Sequence, residues 1–156
     1  SLGDWVWQDD VDFKVFDEGQ NLVGEYNAYI KGVHVGNSAQ HTAFVGIDYD
    51  VFKSIRIGAN INYFGKHFAE FDPTNRTTAE DNIDSWRLPD ATVVDLNVRW
   101  KFKVGNLDAT LYGNLDNLFD KEYISDATDG NNHDMSTARV YYGFGRTWTA
   151  GIRVNF

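Results

Sequence analysis

Apolar and polar residues alternate with period two along most of the chain. The clearest case closes it: Trp148, Ala150, Ile152, Val154 and Phe156 form one series, and Thr147, Thr149, Gly151, Arg153 and Asn155 the other. Val94, Leu96, Val98, Trp100 and Phe102 interleave in the same way with Asp95, Asn97, Arg99 and Lys101. Alternation recurs at Leu107, Ala109, Leu111, Gly113 and Leu115, at Ile55, Ile57, Ala59, Ile61 and Tyr63, and at Ala43, Val45, Ile47, Tyr49 and Val51. Two N-terminal segments are less regular: Trp5, Trp7, Val11, Phe13 and Val15 are interrupted by Asp9, and Leu22, Gly24, Tyr26, Ala28 and Ile30 follow. Successive side chains on a strand point to opposite faces, so each segment is a strand with one apolar and one polar face. The pattern predicts about seven strands, and no segment longer than a turn fits a helical period.

Several of these segments alternate over about 9–12 residues, whereas strands in water usually run about 5–6. A tilted strand needs roughly 9–11 residues to cross a bilayer. The connections also differ in length. Residues 17–21, 52–54 and 104–106 read as tight turns, while residues 69–89 and 121–137 are long, polar and charged. Outer-membrane barrels show that asymmetry, with short periplasmic turns and longer outer loops. The connection at residues 36–40 falls on the long-loop side but is short.

Composition narrows the picture further. The 156 residues allow one domain at most, 42% are hydrophobic and 15% aromatic, yet mean hydropathy is −0.44. A soluble β-protein fits these values, and so does a membrane barrel, in which only alternate residues face lipid. No apolar run approaches the roughly 18 residues of a spanning helix. The N-terminal residues lack the basic and apolar regions of a signal peptide, so a mature product or a piece of a longer chain is expected. The absence of cysteine excludes disulfide scaffolds, thiol catalysis and zinc–thiolate sites. A net charge of −9 disfavours nucleic-acid binding, which needs a basic surface.

The polar phase carries Arg56, Asn60, Asn62, Asp95, Asn97, Arg99, Asn114, Asp116, Arg153 and Asn155. Amides and charges of both signs suit a wet or plugged interior. Tyr49, Trp100, Phe102 and Phe156 fall near the short-turn ends and Trp5, Trp7 and Tyr63 near the long-loop ends, where two aromatic belts would meet the bilayer interfaces. An odd count of seven does not close a bacterial barrel, and open edges in lipid leave costly unsatisfied backbone groups. The chain is therefore expected to be part of a larger barrel. The alternative is a soluble β-sandwich or lipocalin-like ligand-binding module, with the apolar phase turned inward.

Asn114-Leu115-Asp116-Asn117-Leu118-Phe119-Asp120-Lys121-Glu122-Tyr123 resembles a signature of TonB-dependent outer-membrane receptors. The ending from Gly145-Arg146-Thr147-Trp148 to Phe156 resembles their last strand. Residues 63–73, Ser85-Trp86-Arg87-Leu88-Pro89 and Val94-Asp95-Leu96-Asn97 resemble the loop and strand before that signature, particularly in receptors of Bacteroidota. The resemblance implies an all-β fold, an antiparallel transmembrane β-barrel segment forming the C-terminal part of a 22-stranded barrel with a plugged lumen. Residues 1–156 would form one such part, without the plug domain or its TonB box. It also implies import of a nutrient (siderophore, cobalamin, glycan or peptide) with TonB-derived energy across the outer membrane of a Gram-negative cell. The implied partners are the remaining strands and plug, the TonB complex, outer-membrane lipid, the barrel-assembly machinery and a surface lipoprotein. Phe156 would be the terminal signal read during assembly.

Candidate chemistry is sparse. His34, His41, His67 and His133 all fall near the long-loop rim, and no pair has the spacing of a metal motif. Residues 126–134 are rich in oxygen ligands but do not match the EF-hand spacing, and read as a solvated loop. Glu70/Asp72 and Glu80/Asp81 are loop carboxylates with no visible cleft. No nucleophile–base motif or glycine-rich phosphate loop is present, so no enzyme and no cofactor is expected. The residues singled out for ligand contact are His67, Asp129, Asn131 and His133. Asn117 and Asp120 are expected to end a strand and shape a turn.

Overall fold

The computed structural model describes residues 1–155; Phe156, and with it the expected assembly signal, lies outside them. The strands are β1 (Val11–Phe16), β2 (Leu22–Ala28), β3 (Ser38–Phe52), β4 (Ile55–Phe68), β5 (Ala91–Val104), β6 (Leu107–Asp116), β7 (Ile124–Thr128), β8 (Arg139–Tyr142) and β9 (Thr147–Asn155). All seven expected segments contain strands. The short β7 and β8 are additional: they pair with each other inside a stretch too polar to show alternation. Short 3-10 turns at Pro73–Asn75 and Ala79–Asp81 are the helical structure present among the described residues.

The chain divides into two compact units, Thr42–Phe64 with Ala91–Tyr123 and Tyr142–Phe156, and Ser1–His41 with Gly65–Asp90 and Ile124–Tyr141. The first, the sheet unit, holds an antiparallel sheet in the order β3-β4-β5-β6-β9. Its register keeps like with like. Ile57 pairs with Val98 and Ile61 with Val94, Trp100 with Leu111, and Leu111 with Ile152. On the opposite face Asn60 pairs with Asp95, Asn97 with Asn114 and Thr110 with Arg153. A slip of one residue would transfer every apolar side chain to the polar face.

The apolar face of this sheet is exposed along much of its length among the described residues. Ile57 and Val98 are each 44% exposed, Ile152 59% and Trp148 75%. A sandwich would bury these residues against a second sheet. Here Val94, Leu96 and Val154 are half-buried by their strand neighbours, and none of the three is buried. Tight turns close one end. Gly105, between β5 and β6, takes φ 62°, a region glycine enters without steric penalty.

The second, the long-loop unit, contains the β1–β2 hairpin, with Phe13 stacked on Tyr26 at 5.7 Å. Its turn is set by Asp17, whose carboxylate accepts from the Asn21 backbone N–H at 2.8 Å. Residues 2–7 run beside 33–41 through backbone bonds such as Gly3 to Gln40 and Val35 to Trp5. Ala69, Leu88 and Ala127 form a small dry cluster, packed by Trp86, Ile124 and Val140.

Candidate functional site

On the polar face of the sheet unit, Arg56, Arg99, Lys101 and Arg153 lie toward the tight turns, and Asn62, Asp95 and Asp116 toward the opposite end. Arg56 is neutralised by Asp50, which accepts from its Nε at 2.7 Å and Nη2 at 2.8 Å. A basin of about 810 Å³ lies over this face, lined by Asp48, Asp95, Arg99, Tyr112, Asn114 and Arg153 among others.

The end of β6 is organised by Asn117. Its side chain is 3% exposed and makes three hydrogen bonds: Nδ2 donates to the carbonyls of Lys121 at 2.9 Å and Phe144 at 3.1 Å, and Oδ1 accepts from the Lys121 N–H at 2.9 Å. Its own N–H donates to Asp95 Oδ1 at 2.9 Å. Asn117 and Asp120 take φ 51° and 52°, the left-handed conformation that asparagine and aspartate tolerate best among residues with a Cβ. Asp120 Oδ1 accepts from the Arg146 N–H at 2.8 Å. The turn expected at Asn117 and Asp120 is therefore present, and it also fixes residues 143–146.

Just beyond, a second cleft of about 340 Å³ opens between Asn62, Phe64, Asp95, Asp116, Tyr123 and Phe144. Its rings break the alternation, because Phe64 sits in the polar phase of β4 and is 42% exposed. Phe144 is 86% exposed, although its carbonyl is held by Asn117.

In the long-loop unit the central side chain is Arg76, 1% exposed. It donates from Nη1 to the carbonyls of Asp81 (2.6 Å) and Ile83 (2.5 Å) and from Nη2 to Asp129 Oδ2 (3.1 Å). Its guanidinium carbon lies 4.1 Å from the centre of the Phe71 ring, a cation–π contact. Burial lowers the Arg76 pKa, and the nearby Asp129, Asp81 and Asp84 act in the opposite direction. Asp81 is held below the usual carboxylate range by hydrogen bonds from the Thr78 hydroxyl and N–H. His34 stacks on Phe68 at 4.4 Å, with Nδ1 2.8 Å from Asp84 and Nε2 3.1 Å from Asp4. Asp4 also accepts from Lys66, and these bonds lower its pKa.

Of the residues singled out in the sequence, Asp129, Asn131 and His133 line one cleft of about 280 Å³; His67 does not. The Asp129 side chain is 3% exposed and fully engaged: Oδ1 accepts from the Trp86 N–H at 3.1 Å, and Oδ2 meets Arg76 and, at 2.5 Å, His133 Nδ1. It joins residues 76, 86 and 133 and has no free face for a ligand. Asn131 is exposed at the cleft rim. His67 Nε2 is buried without a hydrogen-bond partner, 4.0 Å from Asp126. No group of three or more His, Asp or Glu side chains converges for a metal among the described residues. Arg76, Phe64 and Phe144 were not singled out. Nothing local distinguishes Arg76 from a solvated loop arginine, but an aromatic in a polar phase was a readable signal at Phe64.

The family model described as "TonB dependent receptor-like, beta-barrel" matches residues 2–118, most of the chain. The chain belongs to that family. Among solved structures, the unliganded ferric citrate transporter FecA is similar, with 19% sequence identity and a TM-score of 0.56 over 84% of this chain. At that identity the likeness speaks to the fold: an antiparallel portion of a TonB-dependent receptor barrel. The chain spans about a fifth of the transporter's length, 20% of that chain. The family is one of outer-membrane barrels, whose members span with strands, and among the described residues no helix is long and apolar enough to cross a membrane.

Proposed function

We propose that residues 1–156 form the C-terminal part of the barrel of a TonB-dependent transporter. In this reading the parent protein imports a nutrient across the outer membrane with TonB-derived energy. This chain supplies barrel wall and outer loops and catalyses no reaction. The observation that carries the reading is the uncovered apolar phase of β3, β4, β5, β6 and β9, backed by a polar phase rich in Asn, Asp and Arg. Lipid would cover the first and the hydrated lumen the second.

The tight turns at residues 52–54 and 104–106 then face the periplasm, and the long connections at residues 69–89 and 121–137 face the exterior. The remaining strands and the plug are supplied by the rest of the parent chain, and TonB acts through the plug. Barrel-assembly machinery and a surface lipoprotein are further proposed partners. Ligand contact falls to the rim: Asn131 and His133 at the outer cleft, with Asp129 holding His133 in place and His67 nearby in sequence to Phe68 and Ala69. The ligand class is a siderophore complex, cobalamin, a glycan or a peptide; the ferric citrate that the similar transporter FecA carries resembles the first group.

The test is uptake of labelled candidates by cells carrying the intact receptor, with and without TonB and with a protonophore. Saturable uptake that disappears in both treatments is expected. Uptake that persists without TonB would overturn the reading.

A further inference from the structure

Between Phe64, Tyr123 and Phe144, over Asp95 and Asp116, the sheet unit holds a cleft of about 340 Å³, room for a group of several heavy atoms. We infer that it is a subsite for a small organic cation, a protonated amine carried on an apolar body. The inference rests on the import reading, and it names the chemistry of one stretch of the proposed path.

Three observations carry it. First, Phe144 is presented to solvent on a fixed backbone. Asn117 Nδ2 holds its carbonyl at 3.1 Å, the adjacent Gly143 N–H donates to the Tyr123 carbonyl at 2.9 Å, and Asp120 fixes Arg146 at 2.8 Å. Gly143 lies so close to the Tyr123 ring that a Cβ there would stand 2.0 Å from it. Phe144 on this ordered chain is 86% exposed, available to an apolar partner. Second, Phe64 adds an aromatic surface where the strand phase calls for a polar residue.

Third, the charge is one-sided. Asp95 and Asp116 stand side by side one step beyond the rung at which Leu96 pairs with Leu115, and among the described residues no lysine or arginine lines the cleft. Asp95 is already fixed, accepting from Asn117 and from Asn62 Nδ2 at 3.1 Å. Among the described residues Asp116 receives a single long bond, from the Thr147 hydroxyl to Oδ2 at 3.4 Å, so its Oδ1 is open to a ligand. Neighbouring like charges on one sheet face repel. A cation between them removes that repulsion and gains the faces of the rings as well. An anionic complex would meet two carboxylates and is disfavoured here.

The probe is 2-phenylethylammonium, titrated by saturation-transfer NMR into the intact receptor purified in detergent at low ionic strength. Saturable binding is expected, at least tenfold tighter than for the neutral isostere 2-phenylethanol. Asp116→Asn and Phe144→Ala should each weaken it about tenfold, Asp116→Glu should retain it, and heat-modifiable barrel mobility should be unchanged in all three. Equal binding of the alcohol, insensitivity to Asp116→Asn, or maltotriose binding with the same Asp116 dependence would overturn the assignment. So would no binding of the amine to a receptor that still shows TonB-dependent uptake, which leaves the import reading standing. Loss of TonB dependence would instead overturn that reading whatever the probe does.

Discussion

Arg76 is 1% exposed, and its hydrogen bonds tie together two separate stretches of the long-loop unit, residues 81–83 and Asp129. Removing one partner of a buried ion pair leaves the other charge unpaired, which costs about 3–5 kcal/mol. Arg76→Met is therefore expected to open this unit, read as faster hydrogen exchange and proteolysis between residues 71 and 90 in the intact receptor, with the sheet strands unaffected. Asn117 predicts a second local loss. Asn117→Ala leaves the Lys121 and Phe144 carbonyls and the Lys121 N–H without their present partner, about 1–3 kcal/mol for each group left unsatisfied and buried; exchange should quicken at residues 117–123 and 143–146. Acid should loosen the long-loop unit in a defined direction. Asp4, Asp81 and Asp134 all have native pKa values below the ordinary carboxylate value. Their contribution is complete above about pH 4 and is lost as pH falls through the depressed native values. Proteolysis of the loops should thus rise as pH falls below about 4.

The strands behave as two-faced elements, and the faces should respond differently to the same substitution. Val98 is on the exposed apolar phase of β5 and Asn97 on the polar one. Val98→Arg should destabilise the folded receptor in liposomes by about 2–4 kcal/mol if it sits near the bilayer midplane, while Asn97→Arg should change little; urea unfolding monitored by tryptophan fluorescence compares them. This element level is where the sequence was most legible. β3 to β6 and β9 were readable because each strand lies between two different solvents, so polarity alternates at every step. β7 and β8 were not, because five and four residues in a polar setting leave no alternation to detect. The N-terminal segment was read from Trp5, but β1 begins at Val11; Trp5 and Trp7 instead join residues 33–40 through backbone and Gln40 bonds, a pairing between distant stretches that no local pattern records. The rim residues show the same divide. Polar, histidine-containing loops could be located, but that Asp129 would be buried against Arg76 depends on contacts across 53 positions.

At the scale of the molecule, the charge and the apolar surface are sorted by face and by end. The −9 net charge is carried outside the sheet, whose polar side sets Asp48, Asp50, Asp95, Asp108 and Asp116 against Arg56, Arg99, Lys101, Lys103 and Arg153, while the other side remains aliphatic and aromatic. A face of that kind in water would be an aggregation surface, and sheet edges at β3 and β9 would add to it; the isolated chain should aggregate in plain buffer and disperse in detergent, as sedimentation would show. The chain contains no cysteine, so single-cysteine spin labels can be placed along β4 and β5 at Ile57, Gly58, Ala59, Asn60, Leu96, Asn97, Val98 and Arg99 in the intact receptor, once any cysteines elsewhere in it are replaced. In liposomes, collision rates with oxygen and with a water-soluble nickel chelate should alternate with period two: oxygen high at Ile57, Ala59, Leu96 and Val98, low at the residues between. Oxygen and nickel accessibilities that both stay low at Ile57, Leu96 and Val98, or a water-exposed value at all eight positions, would contradict the assignment of this face to lipid.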